Sequence, residues 1–427
     1  MSLVSGSIGG GLGDANTFYD GIDVHAVDFL TGDAPMHPSY EDRDGAPDRC
    51  FARIDDEEYG RHVTAWSRAL EQAGAADADV LDLHHLTPLN EAAARVAPDV
   101  PVVGHLHGTE LEMLEAIAAG PPTGWKHAEA WARRMRRWAG QCERLIVHTA
   151  EEVESSAKTL GLSTRRFVVV PGGFDAESFR PAPVNHRKFW HRHLVEEPQG
   201  WKPGGKVGSV SYTDDQVAVL DDAVILMAIG RFTILKRLDL LIRAFENARR
   251  RTGRRVALIL VGGHPGEWQG EHPVDTIKAA GAKDVFLAGW HGHDALPEFL
   301  NAADIQVHAA TREQFGLVLV EGMSCGLPTI AVNRFGPKTI VKNGKTGWLV
   351  PPDDEAAFAD AIVSAVDDGE ERSRRGIAAR RRARDRWSWP ILAGSVAQVL
   401  NDAAGAGLRT DDDSAPVLPV AGPPIPG

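Results

Sequence analysis

The sequence predicts an α/β protein built from two doubly wound domains, each a parallel sheet covered by helices. Three observations carry that prediction. The 427 residues suffice for two or three domains at roughly 100–200 residues each. Short apolar runs alternate with amphipathic stretches over most of the length, which is the rhythm of strand–helix–strand units. The alternation also comes in two blocks, separated by a polar stretch rich in His, Trp and Gly at 185–222.

In the first block the apolar runs at 80–84, 100–106, 145–148 and 167–170 read as short buried strands, each bounded by polar residues, Gly or Pro. The stretches 57–73, 129–139 and 150–160 fit the helices between them. In the second block the strands fall at 224–229, 257–261, 285–287, 305–308 and 329–332, with 238–251 as one intervening helix. Two such sheets place a ligand cleft between the carboxyl ends of their strands, as doubly wound folds do. The implied organisation is an N-terminal domain at 1–182 with an atypical start and an insertion or linker at 183–222. A second domain at 223–386 and a closing crossover helix at 387–402 follow. Residues 403–427 turn Gly-, Asp- and Pro-rich and read as a disordered tail.

Composition narrows the function. Apolar residues at 43% and charged residues at 25% are ordinary for a folded soluble protein and exclude collagen-like or disordered chains. A formal charge of −13 argues against a nucleic-acid partner. Cys50, Cys142 and Cys325 are far apart and lack CxxC spacing, so a disulfide framework or thiolate zinc site is not expected and a cytoplasmic location is. No apolar stretch approaches ~18 residues and no secretory signal is visible.

The segment Arg312 to Pro328 is the most informative. Its start follows a strand and Leu317 onward reads as a helix, so unpaired N–H groups and a positive dipole end face an anion there. Glu313 precedes that helix and Glu321 lies two turns along it. Two such carboxylates can grip the ends of a polyhydroxylated ligand; read alone they also fit a capping residue and a solvated helix residue. Asp77-Ala78-Asp79 has a metal-binding spacing and His186, His191 and His193 could chelate, but neither set has a complete ligand complement, and no metal is expected. The helix 130–140 carries Arg133, Arg134, Arg136 and Arg137 with Trp131 and Trp138 on nearly one face. That pattern fits an interfacial helix and, better, a docked helix with a solvated arginine face. Eight arginines between 372 and 386 read as a solvated helix.

The run Glu313-Gln-Phe-Gly-Leu-Val-Leu-Val-Glu321-Gly-Met-Ser-Cys-Gly-Leu-Pro328 resembles the Glu-x7-Glu signature of the family 4 retaining glycosyltransferases. Val341 to Pro352 is similar to the family downstream, and Gly230-Arg231-Phe232 with Lys236 resembles its G-R-x-x-x-x-K element. Val170 to Asp175, Phe179-Arg180-Pro181 and His107-Gly108-Thr109-Glu110 are similar too. The resemblance spans about 80–182 and 223–400, and it implies the GT-B fold, two Rossmann-like domains facing each other across a cleft. It further implies that Arg231 and Lys236 stabilise the departing diphosphate, that Glu313 bonds sugar hydroxyls, and that His107 lies beside the donor sugar. Gly230, Phe315, Gly316, Leu317 and Val318 would line the donor site, Glu321 would take the ribose, and Gly10 and Gly11 would admit the phosphates. The chain departs from the family where Gly9–Gly13 runs almost directly into Tyr19–Val27, without the helix and strand expected between.

The resemblance thus implies a metal-independent, cofactor-free transferase that moves a sugar, with retention, from a nucleoside diphosphate to a small-molecule acceptor. UDP is the family default and GDP the alternative. The acceptor would be a cyclitol, aminocyclitol or thiol metabolite, as in specialised-metabolite biosynthesis. Two other readings stay open: a peripheral-membrane enzyme glycosylating a lipid, and a catalytically silent sugar-nucleotide-binding module.

Overall fold

The computed structural model describes residues 1–7, 21–29, 35–42 and 48–406. It divides into two compact units, one of residues 1–170 with 393–427 and one of residues 171–392.

The first unit holds two parallel sheets. β1 (Ser2–Ser7) pairs with β2 (Asp23–Asp28), and β3 (Leu81–His84), β4 (Val102–His105), β5 (Arg144–Val147) and β6 (Phe167–Val169) form a four-stranded sheet in sequence order. β3, β4 and β6 lie within the predicted apolar runs and β5 starts one residue before its run, at Arg144, whereas β1 and β2 fall outside those runs. Connecting helices begin at defined caps. Thr87 caps Pro88–Val96 through a reciprocal bond with Asn90, and Asp55 caps Asp56–Gln72 by accepting from the Glu58 N–H. In helix Ala128–Gln141 both Trp131 and Trp138 are 0% exposed. This is the docked helix, since both indoles are buried and Arg133, Arg136 and Arg137 are exposed, while Arg134 turns inward over the Tyr59 ring at 3.8 Å.

The second unit contains one six-stranded parallel sheet: β7 (Val224–Ile229), β8 (Val256–Val261), β9 (Val285–Gly289), β10 (Ile305–His308), β11 (Thr329–Val332) and β12 (Gly347–Val350). The order is β12-β11-β10-β7-β8-β9, the doubly wound arrangement that reverses between β7 and β10. The all-apolar strands are buried on both faces, as a helix-covered parallel sheet requires.

Residues 183–222, expected as an insertion or linker, contribute several side chains to the core. Phe189, Trp190 and Leu194 enter the core beneath Phe299, and Trp201 stacks on Phe232 at 5.8 Å. The aromatic residues of this polar stretch supply core volume. The basic helix Gly369–Trp387 also differs from a solvated one, because Arg372, Arg374, Arg375 and Arg382 donate to backbone carbonyls. The last helix runs from Trp389 to Ala406, past the expected end at 402, and buries Val399 and Ala403 against Val103 and Ile146. The rest of the expected tail lies outside the described residues. No helix among the described residues is long and apolar enough to cross a membrane.

Candidate functional site

In doubly wound sheets ligands bind outside the carboxyl ends of the strands where the order reverses. In the second unit that point lies between β7 and β10, which are hydrogen-bonded neighbours. The chain leaving β7 carries Gly230, Arg231 and Lys236, and the chain leaving β10 carries Glu313. A pocket there is lined by Gly230, Arg231, Phe232, Lys236, His308 and Ala309, among others.

Lys236 Nζ donates to Glu313 Oε2 at 2.5 Å, joining residues far apart in sequence. His308, the last residue of β10, places Nε2 3.2 Å from the same oxygen. Burial raises the Glu313 carboxyl, but His308 and the Lys236 ammonium outweigh it and hold the group at about 2. Burial lowers His308 despite the carboxylate beside it, so the imidazole is neutral at physiological pH. Glu313 is therefore a fixed anion, and the exposed Arg231 shares the pocket lining with Lys236.

The backbone between the two glutamates is shaped by glycine. Gly316 has φ +99°, and a Cβ there would approach Leu319 Cδ1 at 3.1 Å and Glu313 Cγ at 3.2 Å. It opens helix Leu317–Ser324, so the first N–H groups of that helix, at Leu317 and Val318, lack intrahelical acceptors and suit an anion. Leu317 is 46% exposed at this end, whereas Phe315 is buried against Trp387. Glu321, 4% exposed, accepts from His293 Nε2 at 2.7 Å. Burial pushes its carboxyl up and His293 opposes the shift.

His107 belongs to the first unit, just beyond β4. It is one of five histidines at the carboxyl ends of β3, β4 and β5. His84 Nδ1 is 3.0 Å from His107 Nε2, the His85 and His107 rings are 4.2 Å apart, and His148 lies 5.6 Å away. His105 stacks on His84 at 4.3 Å. His85 in turn contacts the fully buried Glu110 at 2.6 Å. Burial above all, then the neighbouring histidines, lowers His107 to about 2, so it is a neutral imidazole.

The structure thus brings together Lys236, Glu313, Gly230 and the pocket-lining Arg231, with Gly316 packed on the Glu313 stem. Gly10 and Gly11 lie outside the described residues. Asp77 and Asp79 form no metal-like group, nor do His186, His191 and His193; among the described residues the group that does is Asp82, His84 and His105. Sequence reading missed His308, His293 and Gly262. A Cβ at Gly262 would fall 2.2 Å from the Gly230 carbonyl oxygen, so only glycine lets β8 end against the Arg231 turn. The Gly262-Gly263 pair after an apolar strand was the available signal.

Residues 213–382 match the family model described as Glycosyl transferases group 1, and residues 21–178 match Glycosyltransferase Family 4. The D-inositol 3-phosphate glycosyltransferase of Xylanimonas cellulosilytica is 27% identical over 306 residues, 70% of this chain and 66% of that protein. Its namesake from Streptomyces coelicolor is 30% identical over 266 residues, 60% of this chain and 54% of that one. The chain therefore spans two-thirds or less of the length of these curated relatives. Among solved structures, Anabaena Alr3699/HepE in complex with UDP and glucose is 17% identical with a TM-score of 0.65, covering 94% of this chain and 99% of that one. Sucrose-phosphate synthase from Thermosynechococcus elongatus is 19% identical with a TM-score of 0.64, covering 95% and 100%. These likenesses show the GT-B fold, and with the two family matches the chain belongs to glycosyltransferase family 4.

Proposed function

We propose that the protein transfers a sugar from a nucleoside-diphosphate sugar to a small polyhydroxylated acceptor in the cytosol, with retention at the anomeric carbon. The observation that carries this reading is the pairing of Lys236 with a buried, ionised Glu313 at the switch point of the second sheet, in a pocket that Lys236 lines together with Arg231. A positive pair suits a diphosphate whose charge grows as the sugar departs, and a desolvated pocket strengthens that interaction. The anionic Glu313 suits sugar hydroxyls, the N–H groups at Leu317 and Val318 suit phosphate or sugar oxygens, and Glu321 suits the ribose diol. By the family resemblance His107, a neutral imidazole, serves the transferred sugar.

In the proposed step the bond from the anomeric carbon to the β-phosphate oxygen breaks and the acceptor oxygen bonds to that carbon from the same face. The acceptor's proton passes to the leaving phosphate oxygen. The protein orients the partners and supplies electrostatics, with Arg231 and Lys236 providing the positive charge and no metal at the diphosphate. A UDP-sugar donor is supported by the solved neighbour in complex with UDP and glucose. The relatives named for D-inositol 3-phosphate support an acceptor of the cyclitol or cyclitol-phosphate class.

The test is calorimetric binding of UDP, GDP, ADP and dTDP to the wild type and to Glu321→Ala, followed by donor turnover in Arg231→Ala. One nucleotide is expected to bind, Glu321→Ala to weaken it, and Arg231→Ala to lower turnover by about 10²–10³. Nucleotide binding with no turnover of any donor would favour the silent binding module. Activity confined to acceptors in anionic liposomes would favour the lipid-directed enzyme.

A further inference from the structure

We infer that Asp82, His84 and His105 form a binding site for a divalent transition-metal ion, with zinc as the best match. Strand geometry places the three together. Asp82 and His84 are two apart on β3 and so project from one face of the sheet. The parallel register sets His84 against His105 of β4, and Asp82 against Val103, which puts His105 on that same face. One donor atom from each residue lies within 4.8 Å of the others. The two imidazoles stack nearly parallel, 17° apart, with centroids separated by 4.3 Å.

The second observation concerns His105, which is 7% exposed. Its Nε2 lies 2.7 Å from Asp82 Oδ1 but is aligned for no hydrogen bond, and it has no other partner. A buried ring nitrogen of this kind ordinarily finds a donor or acceptor. Here the ring nitrogen lies against a carboxylate oxygen without the alignment of a hydrogen bond, within reach of a third donor atom from His84. Donors about 2.0–2.2 Å from a tetrahedral zinc are roughly 3.3 Å apart, so on binding the His105–Asp82 pair, now at 2.7 Å, spreads slightly, while the set as a whole already lies within 4.8 Å.

His84 supplies the outer support. Its Nδ1 is 3.0 Å from His107 Nε2, so Nε2 is the His84 nitrogen left for an ion. Partners of this kind orient a ligating imidazole and select its tautomer. Two imidazoles and one carboxylate leave a fourth position for water or a ligand, the composition of open zinc sites. The bound ion would tie the carboxyl ends of β3 and β4 together. This inference goes beyond the sugar-transfer reading, involves none of the residues proposed for the diphosphate, and is tested without turnover.

The full-length protein is stripped with chelator and titrated with Co²⁺, then with Zn²⁺ as competitor. One equivalent of cobalt is expected to bind with the intense visible absorption of a tetrahedral centre and to be displaced by zinc. Asp82→Asn and His84→Asn should each weaken binding by about tenfold or more, the scale on which metal sites respond to altered ligation. His191→Asn, a histidine outside the cluster, should leave it unchanged. His105 is kept intact because it is buried, and circular dichroism confirms that the two variants are folded. Absence of stoichiometric binding in the wild type would overturn the inference. So would undiminished affinity in a folded Asp82→Asn/His84→Asn double variant.

Discussion

Replacing Lys236 with methionine removes the ammonium 2.5 Å from Glu313 Oε2 and keeps most of the side-chain volume. The two side chains are only 25% and 18% exposed, so solvent compensates little. Burial raises the Glu313 carboxyl, yet His308 and Lys236 bring it from the ordinary 4.5 to about 2. A depression of that size corresponds to about 3 kcal/mol of stability at neutral pH. His308 remains in the variant, so the expected loss is about 2 kcal/mol, below the ~3–5 kcal/mol for breaking a fully buried pair. For a unit of this size that is about 4–8 °C in Tm. The sign with pH follows from the depressed carboxyl. The stabilisation is fully present above the unfolded value near 4.5 and is lost as pH falls through about 2. The gap between wild type and variant should therefore narrow steadily below about pH 4.5. Calorimetry and urea unfolding across pH measure it, and Glu313→Gln completes a double-mutant cycle whose coupling should be about 2 kcal/mol. An equal loss at about pH 3, or in the Glu313→Gln background, would show that Lys236 acts by packing and that the ion pair does not govern this site.

Three further outcomes are expected. Gly316→Ala places a Cβ on a residue with φ +99° and against Glu313 Cγ, so it should cost on the order of 1–3 kcal/mol and weaken nucleotide binding, by thermal unfolding and calorimetry. His293→Ala removes the group that opposes the burial-driven rise of the Glu321 carboxyl. Nucleotide affinity in that variant should begin to fall at a higher pH than in the wild type, as titration calorimetry across pH would reveal. Trp138→Ala empties a fully buried site beside Trp131 and should cost about 3–5 kcal/mol. Hydrogen exchange should localise that loss to amides of the first unit.

Much of this was legible because the relevant order is local in sequence. The strands β3 to β11 are three to six residues long and their apolar runs are bounded by turn residues, so period and punctuation reveal them. The run from Glu313 to Glu321 falls within one turn and one helix, and Gly316 marks the point where the backbone must turn left-handed. What escaped is non-local. β1 carries Gly6 and serines in place of a continuous apolar run, and its parallel pairing with β2 is visible only in three dimensions. The segment 183–222 reads as polar because its few large side chains are spaced irregularly, yet Phe189, Trp190, Leu194 and Trp201 are all buried.

By itself the sequence determined the fold class and the motif-bearing turns, since both are set by hydrophobic period and by residues adjacent in the chain. Only the tertiary structure decided which charges meet. Lys236 and Glu313 are 77 positions apart, and no periodicity relates them; the parallel order that puts β7 beside β10 does. The same holds for His84, His105, His107 and His148, which three neighbouring strands deliver to one sheet edge. A strand's alternation fixes each residue's face, while the register between strands, a cooperative property of the whole sheet, fixes its neighbour.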